Sequence, residues 1–311
     1  MNKIPIAFAF DNNLVFPACI CLSSLMMHAK EDTFYDIFIL HSENEGLNHQ
    51  ELDKLPSFYP NCRLQYRSVG NIFDKAFEIR GITTPAYYRL LIPELIPEYE
   101  KIIYSDVDVI FRDDLCDIYH IDIDNMYFAG VNSLSHLLKG TKEYYEKQLY
   151  ISAENIIYSG NLIINSQKIR RDNLNIQFIA LANKHFRFQD MDMINIVCQG
   201  KIRYLPPSFC LTNYINDFAV NRLEEILPIW KEEEITNALE RGIIHYNGPK
   251  PWKQFCVNYD IWWEYYRKSP YFDEKFYFDF YNKKQDELDQ LSLWKRIKIL
   301  MRYFVYGRKK S

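Results

Sequence analysis

The sequence has 311 residues, of which 48% are hydrophobic and 25% are charged. This composition is typical of a folded globular protein and excludes a disordered or fibrous one. Seven of the 37 lysines and arginines lie in residues 291–311, which contain no acid, so the other residues carry 30 basic side chains against 41 acidic ones. The asymmetry predicts a basic tail that meets an anionic surface.

The cysteines and the apolar segments bear on the cellular compartment. Seven scattered cysteines show neither zinc-ligand spacing nor a disulfide framework, which is typical of a reducing cytosol. The apolar N-terminal run is too short for a signal peptide, and no stretch of about 18 apolar residues occurs. We therefore expect a cytoplasmic protein.

Apolar strands and helices alternate along the first part of the chain. The predicted strands are 4–10, 34–41, 62–69 and 101–111, and the predicted helices are 17–28, 48–55 and 83–95. This alternation predicts a largely parallel sheet with crossover helices. Neither of the two familiar glycine-rich phosphate loops is present, so a nucleotide would have to be held through a metal ion.

The central strand, 101–111, contains two acids one residue apart. Apolar runs flank Asp106 and Asp108 on both sides, and unpaired charges are costly to bury inside a sheet. We therefore expect the pair at the end of a strand, with a cation between the carboxylates. Oxygen ligands suit Mg²⁺ or Mn²⁺, ions that also carry a substrate's phosphates. An acidic turn that merely ends a strand is the alternative.

Three polar residues precede this pair. Asp11 and Asn13 follow the first strand, where they could hold a base or ribose or could cap a helix. Arg89 is a lone cation in an apolar helix. It could pair with an acid in the core, or it could orient the nucleotide and Asp106.

The second half of the chain continues the pattern with predicted strands at 127–131 and 158–165 and helices at 176–185 and 188–197. Gly160 suggests a close approach of the backbone to another group. Asp190 and Asp192 form a second acidic pair that could bind sugar hydroxyls, although acids are also favoured at a helix N-terminus by the helix dipole.

The stretch 243–252 ends an apolar strand at His245 and then turns. His245 could complete the coordination of a cation bound by two aspartates, and Lys250 could meet a phosphate. A hydrogen-bonded core histidine and a solvated lysine are the alternatives. Beyond it, the aromatic residues of 258–285 predict helices packed on the main domain. Residues 291–306 read as a basic amphipathic helix, which is either an interfacial anchor on an anionic leaflet or a docked C-terminal helix.

With these segments in order, the chain resembles family 8 of the retaining glycosyltransferases, which includes bacterial lipooligosaccharide galactosyl- and glucosyltransferases. The resemblance covers residues 4–252. It is carried by FAFDNN (8–13), YYRL (87–90), YSDVDV (104–109), SGNLIIN (159–165), FQDMDMIN (188–195) and HYNGPKPW (245–252). It implies an α/β GT-A fold, a Rossmann-like, mainly parallel sheet, in residues 1–255. An aromatic helical extension (256–290) and the basic tail (291–311) would follow.

The resemblance also implies a UDP-sugar donor bound with Mn²⁺ or Mg²⁺, and it assigns roles to residues. Asp106, Asp108 and His245 would be the metal ligands, and Asp190, Lys250 and Arg89 the catalytic residues. The donor-binding set would comprise Ala9, Asp11 and Asn13 at the uridine, Arg89, Asp106, Val107, Asp108, Asp190, and Gly248 with Lys250 at the diphosphate.

Three positions depart from the family's pattern. Leu14 stands where an aromatic residue often stacks on uracil. Tyr158 stands where the family has an asparagine before a Ser/Ala-Gly pair, which is Ser159-Gly160 here, and Asn161 is a candidate substitute for that asparagine. Met191 replaces a glutamine and cannot act as a nucleophile or amide donor. This last change favours front-face transfer, in which the acceptor hydroxyl attacks the face that UDP leaves, although a covalent route through Asp190 or Asp192 stays open.

These observations predict a metal-dependent, retaining hexosyltransferase that moves galactose or glucose to a saccharide or glycolipid acceptor. We expect it to lie peripherally on the inner face of the cell membrane, bound through residues 291–311. We expect no nucleic-acid partner, because no recognised nucleic-acid module accompanies the basic tail. The alternatives are a metal-dependent nucleotidyltransferase or phosphohydrolase and a non-catalytic sugar-nucleotide-binding protein.

Overall fold

A seven-stranded sheet forms the centre of the protein, whose computed structural model describes residues 2–73, 76–78 and 84–306. Thr83, in a predicted helix, and the basic residues Arg308, Lys309 and Lys310 lie outside the described residues. The described strands are β1 (Asn2–Ala9), β2 (Thr33–Ser42), β3 (Cys62–Val69), β4 (Lys101–Ser105), β5 (Val109–Ile110), β6 (Phe128–Asn132), β7 (Ile157–Asn165), β8 (Ile202–Leu205), β9 (Leu211–Thr212) and β10 (Ile244–His245).

Helices cover the sheet and extend the chain beyond it. The described α-helices are α1 (Val15–Met27), α2 (Leu55–Phe58), α3 (Pro85–Tyr88), α4 (Ile92–Leu95), α5 (Cys116–Tyr119), α6 (Lys139–Lys147), α7 (Ser166–Arg171), α8 (Leu174–Leu181), α9 (Gln189–Val197), α10 (Asn213–Asn221), α11 (Leu223–Ile226), α12 (Glu232–Arg241), α13 (Tyr259–Lys268), α14 (Glu274–Asp289) and α15 (Leu293–Tyr306). None of them is both long and apolar enough to cross a membrane.

The central sheet has the strand order β3-β2-β1-β4-β7-β6-β8. The pairs formed by β1 with β2, β2 with β3, β1 with β4 and β6 with β8 are parallel, and β7 runs antiparallel to both of its neighbours. The prediction of a mainly parallel sheet is confirmed. Helices cover both faces of the sheet, so alternate residues of β1 enter two separate cores: Ile6 and Phe8 pack on the α1 side, and Ala7 packs with Tyr87 of α3.

The predicted strand 101–111 is in fact two strands in different sheets. β4 ends at Ser105 in the central sheet, and the chain turns through residues 106–108 before β5 begins. β5 pairs antiparallel with β10, which in turn pairs parallel with β9 in a small three-stranded sheet. The turn keeps both carboxylates out of the backbone ladder, which agrees with the expectation that the acids lie at the end of a strand.

The single helix predicted over 83–95 is also divided. It consists of α3, a 3₁₀ turn at Arg89–Leu91 and α4. Pro93 explains the division, because proline has no backbone N–H to donate to Arg89 and is tolerated only in the first turn of a helix, which is its place in α4. The turn leaves Arg89 at a bend rather than on a continuous helix face.

The aromatic segment after residue 256 packs on α1, as predicted. Trp262 and Tyr266 of α13 make edge contacts with Phe16 of α1, and Phe276 of α14 stacks on Trp263. Such ring pairs contribute about 0.5–1.5 kcal/mol each beyond their burial. The division of the chain at residues 255 and 290 stays a prediction.

All seven cysteines are free and buried. Burial raises the pKa of the Cys19 thiol to about 12, so this side chain stays a neutral, apolar group in the core. Six cysteines belong to the core on the α1 side of the sheet, and Cys198 belongs to the core on the opposite face.

One fully buried carboxylate, Asp36 in β2, connects three strands. It accepts hydrogen bonds from Arg63 Nε and Nη2 at 2.9 and 2.6 Å, from Tyr99 Oη at 2.5 Å and from Gln65 Nε2 at 2.9 Å. Burial alone would raise its pKa, but these hydrogen bonds lower the pKa of Asp36 to about 2. The carboxylate therefore stabilises the folded state.

We predict that Asp36→Asn lowers the free energy of unfolding by about 2 kcal/mol at pH 7, because it removes one partner of a buried charge pair. The folded-state pKa lies below the value of about 3.9 for an unfolded chain, so the stabilisation is present above that pH and is lost as the pH falls toward 2. Urea unfolding from pH 7 to pH 3 measures both effects. Asp117→Asn removes an exposed carboxylate paired with Lys30 and is the control. Equal losses in the two variants would contradict the prediction.

Candidate active site

A cleft of about 570 Å³ opens where the turn after β4, the start of β7 and the end of β10 meet. Its lining contains Asp106 and Asp108 from the turn, His245 from β10, and Lys250 from the loop that follows. The pairing of the small sheet creates this arrangement, because His245 lies opposite Val109 in the antiparallel register. The backbone N–H of Tyr246 also donates to the carbonyl of Asp108 at 2.9 Å.

Three potential metal ligands converge in the cleft. Nε2 of His245 lies 3.3 Å from Oδ1 of Asp108 and 3.6 Å from Oδ2 of Asp106. One ligand atom from each residue lies within 4.8 Å of the other two. Adjacent ligands of an octahedral ion with bonds of 2.0–2.1 Å lie about 3 Å apart, so the two distances from His245 are close to the spacing of neighbouring ligands.

The other carboxylate oxygens are already occupied. Oδ1 of Asp106 accepts from Nη2 of Arg89 at 2.9 Å and from the hydroxyl of Tyr104 at 2.7 Å. Oδ2 of Asp108 accepts from Nζ of Lys250, which also donates to the carbonyl of Tyr246 at 2.7 Å. Each aspartate therefore directs its remaining oxygen toward His245. This chemistry fits a hard divalent cation held by two oxygens and one imidazole nitrogen.

The electrostatics of the cluster favour positive charge. Burial alone would lower the pKa of His245, but the carboxylate of Asp108 and the thiol of Cys210 raise it to about 10. Burial alone would raise the pKa of Asp108, but Lys250 and His245 hold it well below its usual range. Both shifts have one cause, the attraction between the carboxylate of Asp108 and the cationic groups beside it.

Gly160 in β7 has no side chain, which leaves room for the cluster of Asp106, Asp108 and His245. A Cβ atom at this position would clash with the imidazole ring of His245 and would lie 2.8 Å from Oδ2 of Asp106. The carbonyl of Gly160 accepts the backbone N–H of Asp106 at 2.7 Å. The close backbone approach that the sequence suggested is therefore present, and the neighbouring group is the ligand cluster.

Arg89 connects the cluster to a further acid. Its side chain is 5% exposed, and it donates to the carbonyls of Ala86 at 2.8 Å and Ser159 at 2.5 Å as well as to Asp106. Nε of Arg89 also lies 3.3 Å from Oδ2 of Asp190. The structure therefore pairs the arginine with acids in the core and, at the same time, places it in the lining of the cleft.

The two acids of α9 have different environments. Both oxygens of Asp192 are occupied, because the hydroxyls of Tyr144 and Tyr145 donate to them at 2.6 and 2.8 Å and the N–H of Phe188 donates to Oδ2 at 2.9 Å. Asp192 is fully buried and does not line the cleft. The expected acidic pair for sugar hydroxyls, and a covalent route through Asp192, are therefore wrong. Only Asp190 faces the cleft.

Asp190 has an oxygen without a hydrogen-bond donor. Its Oδ2 is buried and accepts no hydrogen bond, because the N–H of Arg89, its ion-pair partner at 3.3 Å, is directed at Ala86. Burial raises the pKa of Asp190 to about 6, against the lowering effect of Arg89. The preceding residue, Gln189, has a φ of 46°, an uncommon left-handed conformation that turns the chain into α9. A buried acceptor is thus held ready for a donor that enters the cleft.

Four of the predicted donor-binding residues, Ala9, Asp11, Asn13 and Val107, lie outside the cleft lining. Ala9 is buried at the end of β1, Val107 is buried in the turn, and Asn13 is exposed. Asp11 caps the 3₁₀ turn after β1 by accepting the N–H of Asn13 at 2.9 Å. The helix-cap alternative therefore describes Asp11 in the structure, and roles at a uridine stay a prediction for these residues.

The structure also places the residues that depart from the family's pattern. Tyr158 and Met191 line the cleft, and Leu14 packs against the core on the α1 side. Asn161 is fully buried away from the cleft, where its amide donates to Oγ of Ser105 at 3.0 Å. Asn161 therefore does not take the place of the family's asparagine.

Sequence reasoning missed several lining residues. Ser133 and Ser135, whose hydroxyls lie 2.6 Å apart, enter the cleft from the loop after β6, and Tyr214 enters from α10. Tyr104 was taken as a strand residue, but its hydroxyl binds Asp106. Only Asn247, in the turn after His245, carried a visible signal, because the sequence Asn-Gly-Pro marks a tight turn.

We predict that Gly160→Ala lowers the affinity for Mn²⁺ at least tenfold, because a methyl group would displace His245 from the two aspartates. Titration calorimetry with Mn²⁺ measures the change. Gly140→Ala is the matched control, since its Cβ would meet no atom within 4 Å in α6. Unchanged Mn²⁺ affinity in a folded Gly160→Ala protein would contradict this account of the cluster.

Comparison with known proteins adds a family to this geometry. Residues 5–256 match the model described as glycosyl transferase family 8. A Haemophilus influenzae protein named for glycosyltransferase activity is 28% identical over 203 residues, which are 64% of this chain and 56% of that protein. General stress protein A of Bacillus subtilis is 25% identical over 222 residues, covering 68% of this chain and 71% of the relative. The chain thus spans little more than half of the Haemophilus protein.

Solved structures share the fold. The galactosyltransferase LgtC, in complex with donor and acceptor sugar analogs, has a TM-score of 0.70 at 21% identity over 88% of this chain and 98% of its own. The bifunctional glycosyltransferase WbbM has a TM-score of 0.71 at 20% identity over 89% of this chain and 51% of its own. The predicted GT-A fold is confirmed. Since the family match covers most of the chain, the protein belongs to glycosyl transferase family 8.

Proposed function

We propose that the protein transfers a hexose, galactose or glucose, from a UDP-sugar to a cell-surface glycan or glycolipid precursor, with retention of anomeric configuration. The convergence of Asp106, Asp108 and His245 in a cleft that also holds Lys250 and Asp190 is the observation that carries the proposal. Membership of a glycosyltransferase family supports it. The LgtC complex, which contains donor and acceptor sugar analogs, supports partners of both kinds.

Asp106, Asp108 and His245 would hold Mn²⁺ or Mg²⁺ through one atom each. When bound, such an ion acts as a Lewis acid that stabilises negative charge on the departing UDP. Lys250 adds a second positive charge on the same side of the cleft, where it now pairs with Asp108. Gly248 lines the same cleft two residues before that lysine, where its backbone would meet the diphosphate.

Asp190 and Arg89 form the opposite part of the site. The oxygen of Asp190 that accepts no hydrogen bond within the protein accepts one from a hydroxyl of the donor hexose. Nε of Arg89, 3.3 Å from this oxygen, keeps the carboxylate in place while the same guanidinium also binds Asp106. This single guanidinium fixes the spacing between the sugar-binding acid and the ligand cluster. Arginine suits the role because its planar fork presents several donors in a rigid geometry.

The substitutions in α9 favour front-face transfer. Met191 lines the cleft without a nucleophilic group, and Asp192 is engaged by two tyrosines. In front-face transfer the acceptor hydroxyl attacks the anomeric carbon from the side that UDP leaves, and its proton passes to the departing diphosphate. The positive charges on Lys250 and Arg89 stabilise the charge that develops there.

We predict that the wild-type protein releases UDP slowly from UDP-galactose or UDP-glucose with Mn²⁺, and that chelation abolishes the release. Asp108→Ala should lower the rate at least 100-fold because it removes both a ligand and the partner of Lys250. Asp117→Ala, at an exposed acid, is the matched control and should retain full activity.

A coupled assay of UDP release, with calorimetry of UDP binding, separates the alternatives. Metal-dependent UDP binding without turnover, even with saccharide acceptors, would favour a non-catalytic sugar-nucleotide-binding protein. Release of inorganic phosphate or nucleotide transfer would favour the metal-dependent nucleotidyltransferase or phosphohydrolase. Neither turnover nor UDP binding would overturn the glycosyltransferase proposal.

The proposal includes a peripheral location on the inner face of the cell membrane, bound through residues 291–311. In α15 the apolar side chains do not turn into the protein: Trp294 is 80% exposed and Phe304 is 85% exposed, and Leu293, Leu300 and Met301 are exposed as well. Lys295, Lys298 and Arg302 lie on the same helix. A basic helix with an exposed apolar face is typical of binding to an anionic membrane surface. This exposure argues against a simply docked helix.

We predict that the double variant Trp294→Ser, Phe304→Ser weakens binding to vesicles with 30% anionic lipid at least tenfold, because it removes two highly exposed rings of α15. Vesicle sedimentation measures the bound fraction. Ile176→Ser is the matched control, since Ile176 is 64% exposed on a different helix. Equal binding of all three proteins would rule out the anchor.

A further inference from the structure

We propose that the groove between α10 and α15 binds the phosphate group of a lipid-linked acceptor, with Arg302 as its cationic partner. The inference rests on the proposed function and deepens it, since it assigns a chemical class to the acceptor. It concerns a second cavity of about 320 Å³, separate from the ligand cluster.

The second cavity adjoins the cleft that holds the metal ligands. Tyr214, Asn247 and Gly248 line both spaces. A ligand bound between α10 and α15 would therefore be separated from the donor cleft by these three shared residues and not by the protein core. Gly248 lies at the boundary between the two cavities, close to Lys250. We therefore assign the second cavity as the entrance and the cleft as the reaction site.

Arg302 brings a positive charge to this entrance from α15. No ion pair joins it to a carboxylate in the part of the chain that the structure describes. The other charged residue in the lining, Asp217, accepts a hydrogen bond from the amide of Asn221 at 2.8 Å. A guanidinium with free donors at the mouth of a groove suits a phosphate, which it can bind with two parallel hydrogen bonds.

Cys256 lies in the lining of the second cavity together with Arg302. Burial raises the pKa of Cys256 to about 12, and the charges of Lys250 and Arg302 both act in the opposite direction. Both cations are therefore close enough to this thiol to act on its charge.

The exposed apolar side chains of α15 favour a lipid-linked phosphate over a free one. Met301 and Val305, next to Arg302 and one turn beyond it, are exposed by 60% and 41%. An acyl or polyprenyl chain could lie along these apolar side chains while its phosphate meets Arg302. A free saccharide would use neither feature. Arg302 thus joins a cavity beside the reaction site to exposed apolar side chains on the same helix.

The test uses the full chain with dodecyl phosphate, below its critical micelle concentration, as the probe. Dodecyl glucoside, with the same alkyl chain and no charge, and inorganic phosphate are the comparison ligands. Calorimetry compares the wild type with Arg302→Gln and with Lys298→Gln, which removes one charge from the same helix outside the cavity lining. Binding of UDP with Mn²⁺ is measured on each protein.

We expect dodecyl phosphate to bind the wild type at least tenfold more tightly than either comparison ligand. Arg302→Gln should lose most of that preference, Lys298→Gln should change it less than twofold, and UDP binding should stay the same in both. Equal losses in the two variants, or no preference in the wild type, would overturn the inference. If inorganic phosphate bound as tightly as dodecyl phosphate, the inference that the phosphate is attached to a lipid would be overturned. Failure of UDP binding in the wild type would instead count against the proposed function.

Discussion

Charge compensation at the turn between β4 and β5 is the constraint on which the rest of the structure depends. Two carboxylates lie there at the junction of two sheets, in surroundings where an unpaired charge would cost several kcal/mol. The chain supplies Arg89 to Asp106, Lys250 to Asp108 and His245 between them. These partners come from two other parts of the sequence, the bend before β4 and the segment that begins at His245. The fold that buries the acids is therefore also the fold that collects their cations.

Much of this fold is predictable from the sequence, because strands covered on both faces are continuous apolar runs and helices are not. The break inside 101–111 is not predictable in the same way, since Ile102 and Ile103 before the turn resemble Val109 and Ile110 after it. Only pairing decides that the two halves join different sheets. Similarly, the division of 83–95 follows from Pro93, but the position of Arg89 at the bend depends on contacts with Ser159, 70 residues away.

The roles of the site residues were predictable where they depend on residue type. They were not predictable where they depend on the direction in which a side chain points. The acids of the turn and His245 were found, and the structure brings them together. Asp190 and Asp192 are equivalent by composition, yet they point to different sides of α9, and the tyrosines that engage Asp192 lie 47 and 48 residues upstream. No local sequence pattern predicts partners that lie so far apart in the chain. The same limit applies to Asn161, which faces Ser105 instead of the cleft.

The distribution of thiols gives the protein a built-in reporter of its own opening. All seven are buried and unoxidised, so a thiol reagent can reach them only when the surrounding layer separates. Six report on the α1 side of the sheet, whereas Cys198 alone reports on the face covered by α9, the helix that carries Asp190. Peptide-resolved labelling rates would thus distinguish loosening of the two faces without any added probe. A substrate that tightens the cleft from the α9 side would change the labelling of Cys198, whereas Cys210, whose Sγ lies 3.5 Å from Nδ1 of His245, would report on the side of the metal ligands.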